Sequence, residues 1–201
     1  MRNKGILLVL SGPSGSGKDT VIAELFKSEL DIVQSVSMTT RAPREGEIHG
    51  RDYYFVDKDT FTDAINNHRM LEYANYGSNY YGTPKDPIDG WLDEGKTVIL
   101  KIDVQGCENI KKAYPDALCI FITPPSMTVL EKRLRGRGTD NEEDIKKRLD
   151  IARNELKKAE MYDYVVINDE LEKAVDDIIM IIRSEGMKIS RMKNFLSEVN
   201  K

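Results

Sequence analysis

Residues 6–20 restrict the possible folds more than any other part of the chain. Ile6-Leu7-Leu8-Val9-Leu10 is a continuous apolar run, as expected of a parallel strand buried on both faces. It passes almost at once into Gly12-Pro13-Ser14-Gly15-Ser16-Gly17-Lys18-Asp19-Thr20, which opens a helix. Gly-x-x-x-x-Gly-Lys between a strand and a helix is a phosphate-binding loop. Its glycines let successive backbone N–H groups converge on phosphate oxygens, the helix N-terminus adds a favourable dipole, and the lysine reaches the β- and γ-phosphates. All nine residues from Gly12 to Thr20 are therefore candidate ligands of a nucleoside triphosphate. Asp19 occupies the place where Ser or Thr normally supplies a hydroxyl to Mg²⁺, and the hydroxyl comes one position later at Thr20. No protein metal ligand is assigned, because nucleotide phosphates and water can hold the ion.

Further apolar runs at Thr97-Val98-Ile99-Leu100, Ala117-Leu118-Cys119-Ile120-Phe121-Ile122 and Tyr164-Val165-Val166-Ile167 read as core strands. Each is followed by a helical stretch, and the helices are expected over about 18–30, 105–113, 126–135 and 171–184. This alternation predicts an α/β fold of three layers around a parallel sheet. Between the first helix and Thr97 the texture changes to short half-polar strands rich in Gly, Tyr and Arg, which reads as an inserted lobe. A further helix is expected over 141–159, with Thr139-Asp140-Asn141-Glu142 as a capping box and Ile145, Leu149, Ala152, Leu156 and Ala159 on its inner face. Met192, Phe195, Leu196 and Val199 suggest a last small helix docked on the core or on a partner.

A chain of 201 residues suits one core domain with inserted lobes. Thirty Lys and Arg against 34 Asp and Glu give a net charge of −4, which excludes a protein that coats nucleic acid through a global basic excess. Apolar runs of five residues fall far short of the roughly 20 that cross a bilayer, and no secretory leader is evident, so a cytoplasmic location with no membrane association is expected. Cys107 and Cys119 lack metal-site spacing and are read as structural.

The loop specifies a triphosphate but not an acceptor. Ser37-Met38-Thr39-Thr40-Arg41-Ala42-Pro43-Arg44 and Gly50-Arg51-Asp52-Tyr53 join two arginines three apart to a tyrosine nine positions further on. Forked guanidinium donors and a phenol suit a dianionic phosphate. Leu71-Glu72-Tyr73-Ala74, Asn79-Tyr80-Tyr81-Gly82-Thr83 and Lys101-Ile102-Asp103-Val104-Gln105-Gly106 follow. With these motifs the chain resembles the guanylate kinases, P-loop nucleoside monophosphate kinases that phosphorylate GMP, from the phosphate loop through Asn168-Asp169. The resemblance implies a P-loop NTPase core over 1–33, 97–132 and 160–201, a GMP-binding lobe over 34–96, and a helical lid with its following helix over 133–159.

By the same resemblance Arg41, Arg44, Tyr53 and Tyr81 hold the GMP phosphate, Ser37, Glu72 and Thr83 read guanine, and Asp103 orients the acceptor or magnesium-bound water. A carboxylate can accept from both N1–H and the N2 amino group of guanine, an edge that adenine does not offer. Arg137 and Arg148, in the Arg- and Gly-rich stretch 133–148, match the lid's catalytic arginines, and Asn168 and Asp169 border the adenine of ATP. Lys18, Arg44, Arg137 and Arg148 are the expected catalytic cations, with Mg²⁺ arriving on ATP. The reaction so implied is direct in-line transfer from MgATP to GMP or dGMP. Lys101, where the family usually carries an acid, keeps open a sibling kinase for another phosphorylated acceptor. A non-catalytic guanylate-kinase-like binding module is the other alternative, against which stand Lys18, Arg137 and Arg148. Oligomeric state is not specified.

Overall fold

The computed structural model describes residues 4–136, 138 and 141–200. The chain runs β1 (Ile6–Ser11), α1 (Lys18–Leu25), β2 (Ile32–Gln34), β3 (Met38–Thr39), β4 (Tyr54–Phe55), α2 (Lys58–Asn66), β5 (Met70–Tyr76), β6 (Asn79–Pro84) and α3 (Asp86–Asp93). It continues through β7 (Thr97–Lys101), α4 (Val104–Ala113), β8 (Leu118–Thr123), α5 (Met127–Arg135), α6 (Glu142–Lys157), β9 (Tyr164–Ile167), α7 (Leu171–Gly186) and α8 (Lys193–Val199).

Five strands form a parallel sheet in the order β2-β7-β1-β8-β9. The run at β1 is apolar throughout because both faces of this sheet are covered. Leu8 and Leu10 face one cluster with Val21, Leu25 and Ile178 from α1 and α7. Leu7 and Val9 face another with Ile88, Cys107 and Ile110 from α3 and α4. Leu8, Val9 and Leu10 are completely buried, and each such side chain contributes about 1.5–3 kcal/mol of hydrophobic stabilisation. The three-layer α/β arrangement expected from the sequence is the one observed. Cys107 and Cys119 are buried free thiols in the second cluster.

A second sheet, β4-β3-β6-β5, combines one parallel pairing with antiparallel ones. The β5–β6 hairpin shifts register between Met70 and Glu72. This irregularity lets Leu71 pack into the core cluster while Glu72 lies opposite Thr83. Phe61 of α2, fully buried, stacks on Tyr80 at 5.4 Å between ring centroids. Helices α2 and α3 were not expected from the sequence. The first begins at Asp57, whose side chain accepts from Thr60 N, and the second carries Pro87 in its first turn.

Two boundaries differ from expectation. α1 stops at Leu25 rather than near Leu30, where the Ser28 hydroxyl donates to the Leu25 carbonyl at 2.6 Å and turns the chain. α6 is capped by Asn141, whose side chain accepts from Asp144 N at 2.9 Å; Thr139, the expected cap, lies outside the described residues. α5 and α6 share a small core of Leu130, Leu134, Ile145, Leu149 and Ala152. Among the described residues no helix is long and apolar enough to cross a membrane.

Candidate functional site

The phosphate loop follows β1 at the C-terminal edge of the parallel sheet, where ligands of open α/β sheets bind. Two of its glycines are sterically required. Gly12 has φ +140°, and a Cβ there would stand 2.0 Å from the Ile122 carbonyl oxygen. Gly17 has φ +90°, and a Cβ there would meet Asn168 Nδ2 at 2.3 Å. Gly12→Ala is therefore expected to destabilise the protein by about 3 kcal/mol or more, read as a lowered midpoint of chemical denaturation. A midpoint equal to the native one would show that the loop has room to relax.

Lys18 curls back over the loop, donating from Nζ to the carbonyl oxygens of Gly12 at 2.6 Å and Pro13 at 3.0 Å. Ser16 N donates to the Pro13 carbonyl, and the Ser16 hydroxyl is buried with no partner among the described residues. Ser14, Gly15, Gly17, Lys18, Asp19 and Thr20 line a concavity of about 120 Å³. From behind, Asn168 Nδ2 donates to the Ser16 carbonyl at 2.8 Å. Arg133 at the end of α5 donates to the Asn168 carbonyl at 2.8 Å and reaches the Ser16 carbonyl at 3.5 Å. Arg148 of α6 donates to Ser14 Oγ at 3.4 Å. Asp169 is exposed beside Asn168. Arg137 lies outside the described residues.

A larger cavity, about 410 Å³, opens between the loop and the second sheet. Its lining includes Gly12, Lys18, Ser37, Tyr53, Glu72 and Tyr81, together with Lys101 and Asp103. Glu72 is 8% exposed and accepts from the Thr83 hydroxyl at 2.7 Å. Burial pushes its carboxyl up to about 7; the Thr83 bond opposes this and the Asp103 charge adds to it. Asp103 caps α4, accepting from Gly106 N at 2.8 Å. Burial also raises the Tyr53 phenol, against the positive charge of Lys101. Tyr53 and Tyr81 meet edge to face at 6.1 Å.

Arg41 pairs with Glu47 at 2.8 Å, donates to the Ala42 carbonyl at 2.6 Å and lies over the faces of Tyr53 and Phe55 at 5.6 and 5.7 Å. The other Glu47 oxygen accepts from Arg44 N at 2.7 Å, so one carboxylate shapes the loop that carries both arginines. Arg44 is exposed and is absent from the cavity lining. Thus Lys18, Ser37, Tyr53, Glu72, Tyr81 and Asp103 share one cavity, with Thr83 bonded to Glu72, whereas Arg41, Arg44, Arg148 and Asp169 are not part of its lining.

Sequence reasoning missed three features. In the sequence Arg133 reads only as part of the charged stretch 133–148, whereas in the structure it braces the loop from behind. Glu155 was overlooked on α6, although a charge three positions after buried Ala152 was a signal. Its Oε2 is buried without a hydrogen-bond partner among the described residues; burial raises its carboxyl, partly offset by the Lys18 charge. The ion pair between Asp19 and Lys101 at 2.6 Å joins residues 82 positions apart and had no local signature.

Among the described residues no group of three His, Cys, Asp or Glu side chains is arranged to hold a metal. The available oxygen donors near Lys18, the Thr20 hydroxyl with the Asp103 and Glu155 carboxylates, suit the outer waters of an ion that phosphates carry.

A family model described as "Guanylate kinase" matches residues 4–185. The guanylate kinase of Lactococcus lactis subsp. lactis is 48% identical over 192 residues, covering 96% of this chain and 94% of that protein. That of Carboxydothermus hydrogenoformans is 46% identical over 190 residues, covering 94% and 93%. The crystal structure of guanylate kinase from Anaplasma phagocytophilum superposes with a TM-score of 0.78 at 38% identity, covering 94% of this chain and 90% of that one.

Proposed function

The chain belongs to the guanylate kinase family, and from that premise we propose that it transfers the γ-phosphoryl group of MgATP directly to the phosphate of GMP or dGMP, giving ADP and GDP or dGDP. The observation that carries this reading is the single cavity in which Lys18 of the phosphate loop faces the buried Glu72–Thr83 pair. Glu72 as a carboxylate accepts from guanine N1–H and the N2 amino group, and Ser37 donates to O6. Adenine leaves that buried carboxylate unmatched, which is costly. Arg41, Arg44, Tyr53 and Tyr81 bind the acceptor phosphate.

The core and the second-sheet lobe over 34–96 hold the two nucleotides, and 133–159 forms the lid and its following helix. The acceptor phosphate is already anionic, so catalysis rests on in-line alignment and charge stabilisation rather than on a general base. Lys18, Arg44, Arg137 and Arg148 supply the cations, and Asn168 and Asp169 border adenine. Mg²⁺ carried on ATP would neutralise charge between its phosphates, and Thr20, Asp103 and Glu155 are the residues that would take up its outer waters.

A coupled ADP-release assay across GMP, dGMP, AMP, CMP and UMP tests this reading. The expected kcat/KM for GMP exceeds that for AMP by on the order of 10⁴-fold, the scale of sites built around a polar group that the wrong ligand leaves unpaired. Equal turnover of GMP and AMP would remove Glu72 and Ser37 from base selection.

A further inference from the structure

The cavity between the two sheets carries an ammonium to which neither the phosphate loop nor the arginine loop lends a role. Lys101 ends β7 and pairs in register with Leu10, two residues before Gly12. It lines the same space as Lys18, Tyr53, Glu72 and Tyr81. Its one hydrogen-bond partner among the described residues is Asp19, at 2.6 Å, and an ammonium has three donors.

The two side chains of this pair retain 34% and 77% of their exposure. Ion pairs this open to water are weakly held, so a dianionic phosphate, the stronger acceptor, displaces a monoanionic carboxylate readily. The positive charge already acts inside the cavity, where it opposes the rise of the Tyr53 phenol. With guanine fixed at Glu72 and Thr83, the acceptor phosphate falls toward the tyrosines and the loop, on whose rim Lys101 stands.

We propose that Lys101 is a phosphate-binding residue of the acceptor site: its ammonium, held by Asp19 in the free protein, turns to the phosphate of the bound nucleoside monophosphate. The inference rests on the reading of GMP as acceptor. In this arrangement Lys101 and Lys18 flank the two phosphates that must approach each other, and their charges reduce the repulsion between anions.

Calorimetric titration without ATP, using GMP and guanosine, separates the possibilities. Lys101→Gln is expected to weaken GMP binding by about tenfold to a hundredfold, the scale of a lost hydrogen bond to a charged group, and to leave guanosine affinity within about twofold. Lys101→Arg is expected to restore most of the GMP affinity. Guanosine binding by the Gln variant also shows that it is folded. GMP affinity equal to that of the native chain, or an equal loss for GMP and guanosine, overturns the role of Lys101 alone. A native chain that binds neither GMP nor guanosine overturns the acceptor reading itself, and the role of Lys101 with it.

Discussion

Lys18→Met is expected to slow phosphoryl transfer by on the order of 10³-fold or more, the range observed when a cation that stabilises a transferring phosphoryl group is removed. The denaturation midpoint should change little. The side chain is half-buried, its Nζ contacts include the loop carbonyls of Gly12 and Pro13 at 2.6 and 3.0 Å, and Gly12 lines the open cavity from which water can enter. In the free protein those carbonyls offer the ammonium partial negative charge; on the proposed reading, phosphate oxygens carrying full charge replace them when nucleotide binds. Single-turnover rates with saturating ATP and GMP measure the effect on the chemical step. A variant within tenfold of the native rate would take Lys18 out of the transfer step.

Glu72→Gln is expected to lower kcat/KM for GMP by on the order of 10³-fold, because an amide cannot accept from both N1–H and the N2 amino group. The same change is expected to stabilise the ligand-free protein at alkaline pH. The carboxyl is held near 7 in the fold against an ordinary value of 4.5. Between those values the folded state binds more protons than the unfolded state, so stability from this group is present below pH 4.5 and is lost as pH rises through 7. The difference corresponds to about 3 kcal/mol, which Gln recovers while still accepting from Thr83. Denaturation midpoints at pH 8 and pH 4.5 check this: the variant should gain at pH 8 and gain little at pH 4.5. GMP affinity of the native protein should rise with pH across 7 as the carboxylate forms, and this dependence should vanish in the variant. Equal midpoints at pH 8 would show that Glu72 is not strained by burial.

The core strands were legible because burial on both faces leaves an uninterrupted apolar run, as at Leu8-Val9-Leu10, and the phosphate loop because its geometry demands glycine at fixed places. The buried Glu72–Thr83 pair, proposed above to read guanine, was singled out only through resemblance, since Glu72 in Leu71-Glu72-Tyr73 reads equally well as a residue pointing to water. What turns it inward is a register shift in β5, set by pairing with β6 rather than by its neighbours. Helices α2 and α3, of nine and eight residues, each bury only two side chains, too few to mark them by periodicity. Asp19 with Lys101 and Arg133 with Asn168 are contacts between distant segments. No local pattern encodes such pairs; they emerge when the sheet brings strand ends together.

Asn168 and Arg133 carry a consequence for how the chain matures. The Ser16 carbonyl is held by donors 152 and 117 positions further along, and contacts of such separation form only after the intervening chain has closed. A nascent chain that has exposed residues 1–120 holds the whole Gly12–Thr20 motif yet lacks both braces. The braced form of the loop is therefore complete only near the end of synthesis, once β9 has added to the sheet edge. A ligand that binds only the braced loop would draw the equilibrium toward the completed fold, so its effect would fall on the last step of folding rather than the first.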